Sequence, residues 1–157
     1  MPALIVDENA LVTQSLSIIE YIEEQHPEPR LLPAAPLDRA FARSLALMVA
    51  AEIHALLPPR VQARLRTSGF SAEQIGAWSR YWIVEGLDAI EALLATRPET
   101  AFAAGDVPSV ADIFLYPQMV NAQRAGLPLE SWPRIAAIVA RLNAIPAFSD
   151  NAPAARQ

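Results

Sequence analysis

Residues suited to an acidic ligand stand where a short apolar run meets a helical pattern, at Thr13, Gln14 and Ser15. The first turn of a helix has backbone N–H groups without intrahelical partners and lies at the positive end of the helix dipole. The Gln14 amide and the Ser15 hydroxyl add donors, so this junction suits a carboxylate. The competing interpretation, which local physics alone favours, is that Ser15 or Thr13 only caps the helix.

Two pairs of residues further along the chain also carry donors for an acidic ligand. His54 and Arg60 flank Pro58-Pro59, which must kink or end a helix because neither proline donates a backbone N–H. A groove opened there, with an arginine beside it, suits a carboxylate. Asn121 and Arg124 lie three residues apart, on one helical face. For both pairs the alternative is an exposed, solvated side chain.

Ser109 and Asp112 have the spacing of a capping box, in which each side chain bonds the other residue's backbone at the start of a helix. We therefore predict a structural role for this pair and not a catalytic one. The serines lack the G-x-S-x-G context of a nucleophile, and no Ser-His-Asp arrangement can be argued.

The composition excludes several kinds of chemistry. Among the 157 residues there is no cysteine, and all 12 basic residues are arginine, which excludes disulfides, thiolate catalysis, zinc–sulfur sites and Schiff-base lysines. Only two histidines, His26 and His54, are present, and no metal-binding motif accompanies them, so we expect no metal site. The net charge of −5 argues against binding to nucleic acid or an anionic membrane.

The pattern of apolar residues predicts an α+β fold that is mostly α-helical. Residues 3–6 and 10–13 read as a β-hairpin and residues 14–26 as an amphipathic helix. Four prolines within residues 26–37 form a stiff connector. We therefore expect a ββα unit over 1–26, a proline-rich linker over 27–37 and an all-helical domain over 38–157.

The helical domain is predicted to contain about five helices. Asp38 is expected to be the N-cap of the first, and Ser71 with Gln74 is expected to form a second capping box. Trp78, Tyr81 and Trp82 have the spacing of a helix side and are expected in the core. Residues 145–157 are predicted to be a loose tail.

The chain shows no uninterrupted apolar run of 18 residues and no signal-peptide pattern at its start, so we expect no membrane span and a cytoplasmic location.

These motifs together resemble the glutathione transferases, and in particular their zeta class, which includes the maleylacetoacetate and maleylpyruvate isomerases. The segments that carry the resemblance cover nearly the whole chain: Pro2-Ala3-Leu4, Gln14 to Ile22, Pro27 to Pro33, Gly105-Asp106, Ser109 to Ile113, and Pro117 to Arg124. The resemblance implies the second half of a thioredoxin-like domain (ββα) followed by the family's all-α C-terminal helical bundle.

The resemblance also implies roles for the candidate residues. Gln14 and Ser15 would hold the γ-glutamyl end of the cosubstrate glutathione, and Pro2 would match the family's cis-proline. His54 and Arg60 would face the glutathione cleft. Asn121 and Arg124 would meet the carboxylates of a small acidic electrophile. In that chemistry the thiolate adds to a cis-alkene, permits rotation and leaves.

The sequence departs from the family pattern at two places, and both affect the activity that we expect. The family's domain begins with a β-α-β unit carrying a serine motif that activates the thiol, and the sequence starts after it, so we expect an N-terminally shortened chain with no catalytic serine. Pro58-Pro59 stands where zeta isomerases usually carry asparagines, which favours a zeta-like transferase. The alternatives are a non-catalytic binding protein on the same fold and an all-α ligand-binding domain. We expect a homodimer.

Overall fold

The computed structural model describes residues 2–152 and contains a two-stranded sheet followed by helices. In chain order the elements are β1 (Ala3–Asp7), β2 (Ala10–Thr13), α1 (Ser15–Gln25), α2 (Pro36–Leu47), a π-helical segment (Met48–Ile53), a 3-10 turn (His54–Leu56), α3 (Pro59–Thr67), α4 (Ala72–Ala95), α5 (Val110–Arg124), a second 3-10 turn (Leu129–Ser131), α6 (Pro133–Asn143) and α7 (Pro146–Ser149). The predicted α+β, mostly helical fold is confirmed.

The N-terminal hairpin is antiparallel and exposes a cross-strand pair of apolar side chains. Ala3 pairs with Thr13 and Ile5 with Leu11, and the register shifts between Ile5 and Asp7. Ile5 is 75% exposed and Leu11 62% exposed, so this cross-strand pair presents apolar surface to solvent. Helix α1 follows directly and connects the hairpin to the helical domain.

The proline-rich linker is tied to elements on both sides of it. The Glu23 carboxylate, on α1, accepts hydrogen bonds from the backbone N–H groups of Leu31, at 2.6 Å, and Leu32, at 3.0 Å. The Leu31 carbonyl in turn accepts from the Val110 N–H, at 2.8 Å, at the start of α5. These bonds fix α1 relative to α5, the two helices that will form opposite walls of a cavity.

Helix α5 is the centre of the helical domain. Nine of its 15 residues are buried, so apolar side chains leave this helix in several directions and not along one stripe. It packs against α2, the π-helical segment and α6. The buried side chains of these elements and of α4 form one continuous hydrophobic core.

Helix α4 approaches the π-helical segment very closely at Gly86. A Cβ atom placed on Gly86 would lie 2.2 Å from Ile53 Cγ1 and 2.4 Å from Ile53 Cδ1, well inside van der Waals contact. Ile53 itself is fully buried. The absence of a side chain at Gly86 therefore sets the position of the segment that leads into His54.

Helix α6 begins against two carboxylates from α4. The Glu91 carboxylate accepts from the backbone N–H groups of Arg134, at 2.8 Å, and Ile135, at 3.0 Å, which lie in the first turn of α6 and have no intrahelical acceptor. The Trp132 indole N–H donates to Asp88, at 2.7 Å. A side chain distant in sequence therefore caps this helix.

Two sequence-based predictions about helix starts have different outcomes. The Ser71–Gln74 capping box is present at the start of α4 and is confirmed. The prediction that Asp38 is an N-cap was wrong: the N-cap of α2 is Ala35, and Pro36 occupies the first turn, where its fixed φ favours a helix start. Asp38 instead forms an ion pair with Arg97.

The prediction of a loose tail was wrong for its described part, residues 145–152. Helix α7 forms there, and the Phe148 ring packs edge-on against the Tyr116 ring, with 5.4 Å between centroids. Residues 153–157 lie outside the described range. Of the three aromatic residues expected in the core, Tyr81 is 55% exposed, while Trp78 and Trp82 are half-buried.

Within residues 2–152, one helical stretch, Pro36–Thr67, is long and apolar enough to cross a membrane if judged by length and composition alone. This stretch contains no uninterrupted apolar run of 18 residues, because polar residues are spread through it. In the structure this stretch comprises α2, the π-helical segment, the 3-10 turn and α3. Its residues Leu45, Val49 and Ile53 belong to the core of the helical domain.

Candidate functional site

A cavity of about 320 Å³ lies between the start of α1 and the helical domain. Three elements far apart in sequence contribute its walls: α1, the π-helical segment with the 3-10 turn, and α5. The lining residues are Ser15, Ile19, Val49, His54, Ile113, Phe114, Pro117, Gln118 and Asn121. Three of the predicted site residues, Ser15, His54 and Asn121, are thus brought together at one cavity.

The α1 wall begins at a strained backbone position. Gln14 is the N-cap of α1 and has φ 72° and ψ 128°, a conformation that non-glycine residues rarely adopt and that costs about 1–3 kcal/mol. The helix has no side-chain cap hydrogen bond at this end. The alternative in which Thr13 or Ser15 serves as the cap is therefore not what the structure has, and Ser15 lines the cavity.

The second wall contains the π-helical segment, Met48–Ile53, and the 3-10 turn that follows it. A π-helical turn inserts an extra residue into a helix and is frequent at functional sites. Val49 presents a buried apolar side chain to the cavity, and His54 comes directly after the segment. The sequence predicted the disruption of this helix at Pro58-Pro59, whereas the helix already departs from α geometry ten residues earlier.

The α5 wall carries both apolar and polar groups. Pro117 lies inside the helix and has no N–H to donate to the Ile113 carbonyl one turn earlier. Gln118 is only 2% exposed, and its Nε2 atom has no hydrogen-bond partner. Asn121 lies one turn further along and completes this side of the cavity.

The remaining predicted ligand residues do not line this cavity. Arg60 is exposed in the first turn of α3, and Arg124 is exposed at the end of α5. Pro2 is exposed just before β1, and the Met1–Pro2 peptide bond, predicted to match a cis-proline, involves a residue outside the described range.

Asp112 is a structural residue of the helical domain. Its carboxylate accepts from the Ser109 N–H at 2.8 Å, the Ser109 hydroxyl at 2.9 Å and the Ala103 N–H at 2.9 Å, and Ser109 and Asp112 form a capping box at the start of α5. Burial raises the pKa of Asp112 above its ordinary value, against the opposing effect of these hydrogen bonds. The residue does not line the cavity.

A second cavity, of about 270 Å³, is lined by three arginines whose donors are engaged in the fold. Arg97 pairs with Asp38 and lies 4.5 Å from the Phe41 ring centroid. Arg134 donates to the carbonyls of Leu94 and Arg97 at 3.1 Å. Arg141 donates to the carbonyls of Thr100 and Ala101, at 3.4 and 3.1 Å. These bonds hold the end of α4 and the following loop, which is a structural role.

Sequence reasoning missed Gln118 and the apolar wall residues of the first cavity. Gln118 stands three residues before Asn121, so the helical spacing used for Asn121 and Arg124 also places it on that side of α5. Within the described residues, no group of three or more histidines, aspartates or glutamates is arranged to hold a metal ion.

The chain matches one protein-family model and is similar in sequence to known isomerases. Residues 50–141 match the model of the glutathione S-transferase C-terminal domain. A maleylacetoacetate isomerase of Pseudomonas aeruginosa is 42% identical over 154 residues, which are 98% of this chain and 71% of that protein.

Two solved structures are similar over almost the whole chain. The first is the holo structure of a maleylpyruvate isomerase, described as a bacterial zeta-class glutathione transferase; it has a TM-score of 0.92 and 40% identity over 99% of this chain and 74% of that one. The second is a maleylacetoacetate isomerase from Methylobacterium extorquens AM1 with bound malonate and glutathione; it has a TM-score of 0.91 and 33% identity over 98% and 76% of the two chains.

Proposed function

This chain belongs to the zeta class of the glutathione transferase family, and from that premise we propose that it binds glutathione beside a small acidic electrophile and takes part in glutathione-dependent cis–trans isomerisation. The observation that carries the proposal is the cavity at which Ser15, His54 and Asn121 meet. These residues come from three distant segments of the chain, and each was singled out separately as a candidate donor.

The α1 wall fits the γ-glutamyl end of glutathione. The first turn of α1 has no side-chain cap hydrogen bond, and its first residue, Ser15, lines the cavity. Donors at the positive end of a helix dipole favour a carboxylate. The strained backbone at Gln14 is consistent with a position shaped for binding. His54 supplies a further polar group across the cavity.

The α5 wall fits the second substrate. Asn121 lies at the cavity, with Arg124 three residues further along the same helix. Such residues suit the carboxylates of a compound such as maleylacetoacetate, and the Methylobacterium relative binds malonate together with glutathione. When bound, glutathione supplies a thiol able to add reversibly to a cis-alkene. The residues of this chain hold the two molecules side by side, which lowers the entropic part of the barrier.

A non-catalytic binding protein on the same fold is not favoured, because the close relatives of the chain are isomerases.

We also propose a homodimer, supported by the apolar Ile5 and Leu11 surface that a partner would cover. Sedimentation at micromolar concentration that gave only monomer would exclude it. Cytoplasmic location stays a prediction, to be checked by fractionation of cells that express the chain.

The proposed function is tested by measuring glutathione binding by calorimetry and thermal shift. At one hundred times Kd the ligand should stabilise the chain by about 2.7 kcal/mol, which raises Tm by roughly 5–10 °C for a domain of this size. Ser15→Ala should weaken binding, whereas Ser17→Ala, on the same helix but away from the cavity, should not. A folded chain that shows no glutathione binding would refute the proposal, and turnover of maleylacetoacetate tests the isomerisation itself.

A further inference from the structure

The turn that carries His54 receives little support from the backbone that follows it. It is a 3-10 turn of three residues, His54–Leu56, and Pro58 and Pro59 come shortly after it. Neither proline has an N–H to donate back to the carbonyls of the turn. His54 is exposed where it lines the cavity, so packing around its side chain contributes little to its position. Its place at the cavity therefore depends on how the backbone of the turn is fixed.

Side chains from two other helices bond the end of this turn. The Trp78 indole N–H, on α4, donates to the Leu56 carbonyl at 3.1 Å. The Gln62 amide, on α3, donates to the Leu57 carbonyl at 2.9 Å. Because Trp78 is 22 residues from Leu56 in the chain, its bond ties the turn to a separate, long helix of the core.

The Trp78 ring is oriented by an aromatic cluster on α4. The Trp82 ring packs edge-on against it, with 5.7 Å between centroids, and the Tyr81 ring packs edge-on against Trp82, with 5.1 Å between centroids. The cavity, as the described residues form it, is lined by none of these rings. Any effect of Trp78 on a bound ligand must therefore pass through another residue.

We infer that Trp78 is a positioning residue for glutathione binding, because its bond to the Leu56 carbonyl fixes the turn that places His54 at the cavity. This inference rests on the proposed function. A binding group that is displaced by about 1 Å can lose much of its effect, and the Trp78 bond restrains the segment next to such a group. Trp78 thus acts on the ligand only through His54.

The test compares Trp78→Phe, which keeps an aromatic ring and removes the N–H donor, with the wild type. Glutathione is titrated by calorimetry into the full chain. We expect the glutathione Kd to rise about 2- to 10-fold, the range that corresponds to one neutral hydrogen bond. The matched control is Trp82→Phe, one turn further along α4, because the Trp82 indole nitrogen has no hydrogen-bond partner. Its Kd should change less than about twofold.

A double-mutant cycle separates positioning from a general loss of stability. In the His54→Ala background, Trp78→Phe should change the glutathione Kd less than about twofold, because the group that the turn positions has been removed. Glu91→Gln, which removes a contact at the other end of α4, should lower Tm and leave Kd unchanged. Gln62→Met removes the neighbouring donor and gives a second test of the turn, which does not require the Trp78 variant to fold. It should also raise Kd, and only while His54 is present.

Four outcomes would overturn the inference. If Trp78→Phe and Gln62→Met bind glutathione as the wild type does, the turn needs neither bond, and the proposed function stands without this inference. If Trp78→Phe weakens binding equally with and without His54, it acts by another route. If Trp82→Phe weakens binding as much, the effect belongs to the aromatic cluster and not to the hydrogen bond. If the folded wild type does not bind glutathione, the proposed function fails together with this inference.

Discussion

The close approach of α4 to the π-helical segment gives a sharp test of how packing shapes the cavity. Gly86→Ala would place a methyl group 2.2 Å from Ile53 Cγ1 and 2.4 Å from Ile53 Cδ1, whereas carbon atoms in contact prefer about 3.5–4.0 Å. Ile53 is fully buried, so neither it nor α4 has free space into which to move.

Two opposing terms set the size of the effect. Overpacking of this kind typically costs about 1–3 kcal/mol, while replacing glycine by alanine inside a helix gains about 0.8–1 kcal/mol. With an overlap of more than 1 Å, the cost lies towards the upper end of its range. We therefore expect Gly86→Ala to destabilise the chain by about 1–2 kcal/mol, which lowers Tm by roughly 2–8 °C.

Gly76 provides the matched control on the same helix. A Cβ atom there meets only Arg80 Nη1, at 3.4 Å, the end of a flexible side chain. Gly76→Ala should gain the helix-propensity term and raise Tm by roughly 2–4 °C. Thermal and urea unfolding of both variants should thus give changes of opposite sign.

The clash also predicts a specific coupling between positions. Ile53→Ala alone should cost about 2–5 kcal/mol, but in that background Gly86→Ala should no longer destabilise, because the atoms that it meets have been removed. Since Ile53 directly precedes His54 at the cavity, Gly86→Ala should also weaken glutathione binding. The reasoning would be refuted if Gly86→Ala stabilised the chain as Gly76→Ala does, or if its effect were the same with and without the Ile53 side chain.

Three further predictions concern carboxylates with structural roles. Glu91→Gln should lower the free energy of unfolding by about 1–2 kcal/mol in urea, because it removes the negative charge at the N-terminus of α6; the exposed Glu85→Gln on the same helix should change it little. Burial raises the pKa of Asp112 above 3.8, so the folded state binds the proton of this carboxyl group more tightly than the unfolded state does. The stability that the residue contributes is therefore lost as pH rises from 3.8 through the raised pKa. The difference in unfolding free energy between wild type and Asp112→Asn should therefore decline over that window in urea titrations, and a difference independent of pH would contradict it. Glu23→Ala should weaken glutathione binding, measured by calorimetry, because it frees the linker that fixes α1; unchanged affinity with intact helicity would show that the cavity does not depend on this tie.

Features that depend on neighbouring residues were predictable from the sequence. The hairpin was predicted from two short apolar runs on either side of a turn-like segment, and the Ser71–Gln74 box needs only two side chains on one helical turn. Helix α5 ends just before Gly126, which has φ 76°, a conformation that glycine adopts at little cost. The choice of Asp38 over Ala35 as N-cap failed because Pro36 outweighed side-chain capping and because Asp38 has a partner far along the chain, Arg97.

The candidate site also combines features that the sequence predicts with features that depend on tertiary packing. Sequence alone supplied Ser15, His54 and Asn121 as donors with suitable chemistry, together with the family resemblance, but their meeting at one cavity depends on how α1 and the π-helical segment pack around α5. The unpaired Gln118 donor and the contact between Gly86 and Ile53 are likewise invisible in the sequence. Local patterns fix which backbone conformations are favourable, whereas burial and the presence of a hydrogen-bond partner depend on atoms brought near by segments distant in the chain, and only the packed tertiary structure decides those.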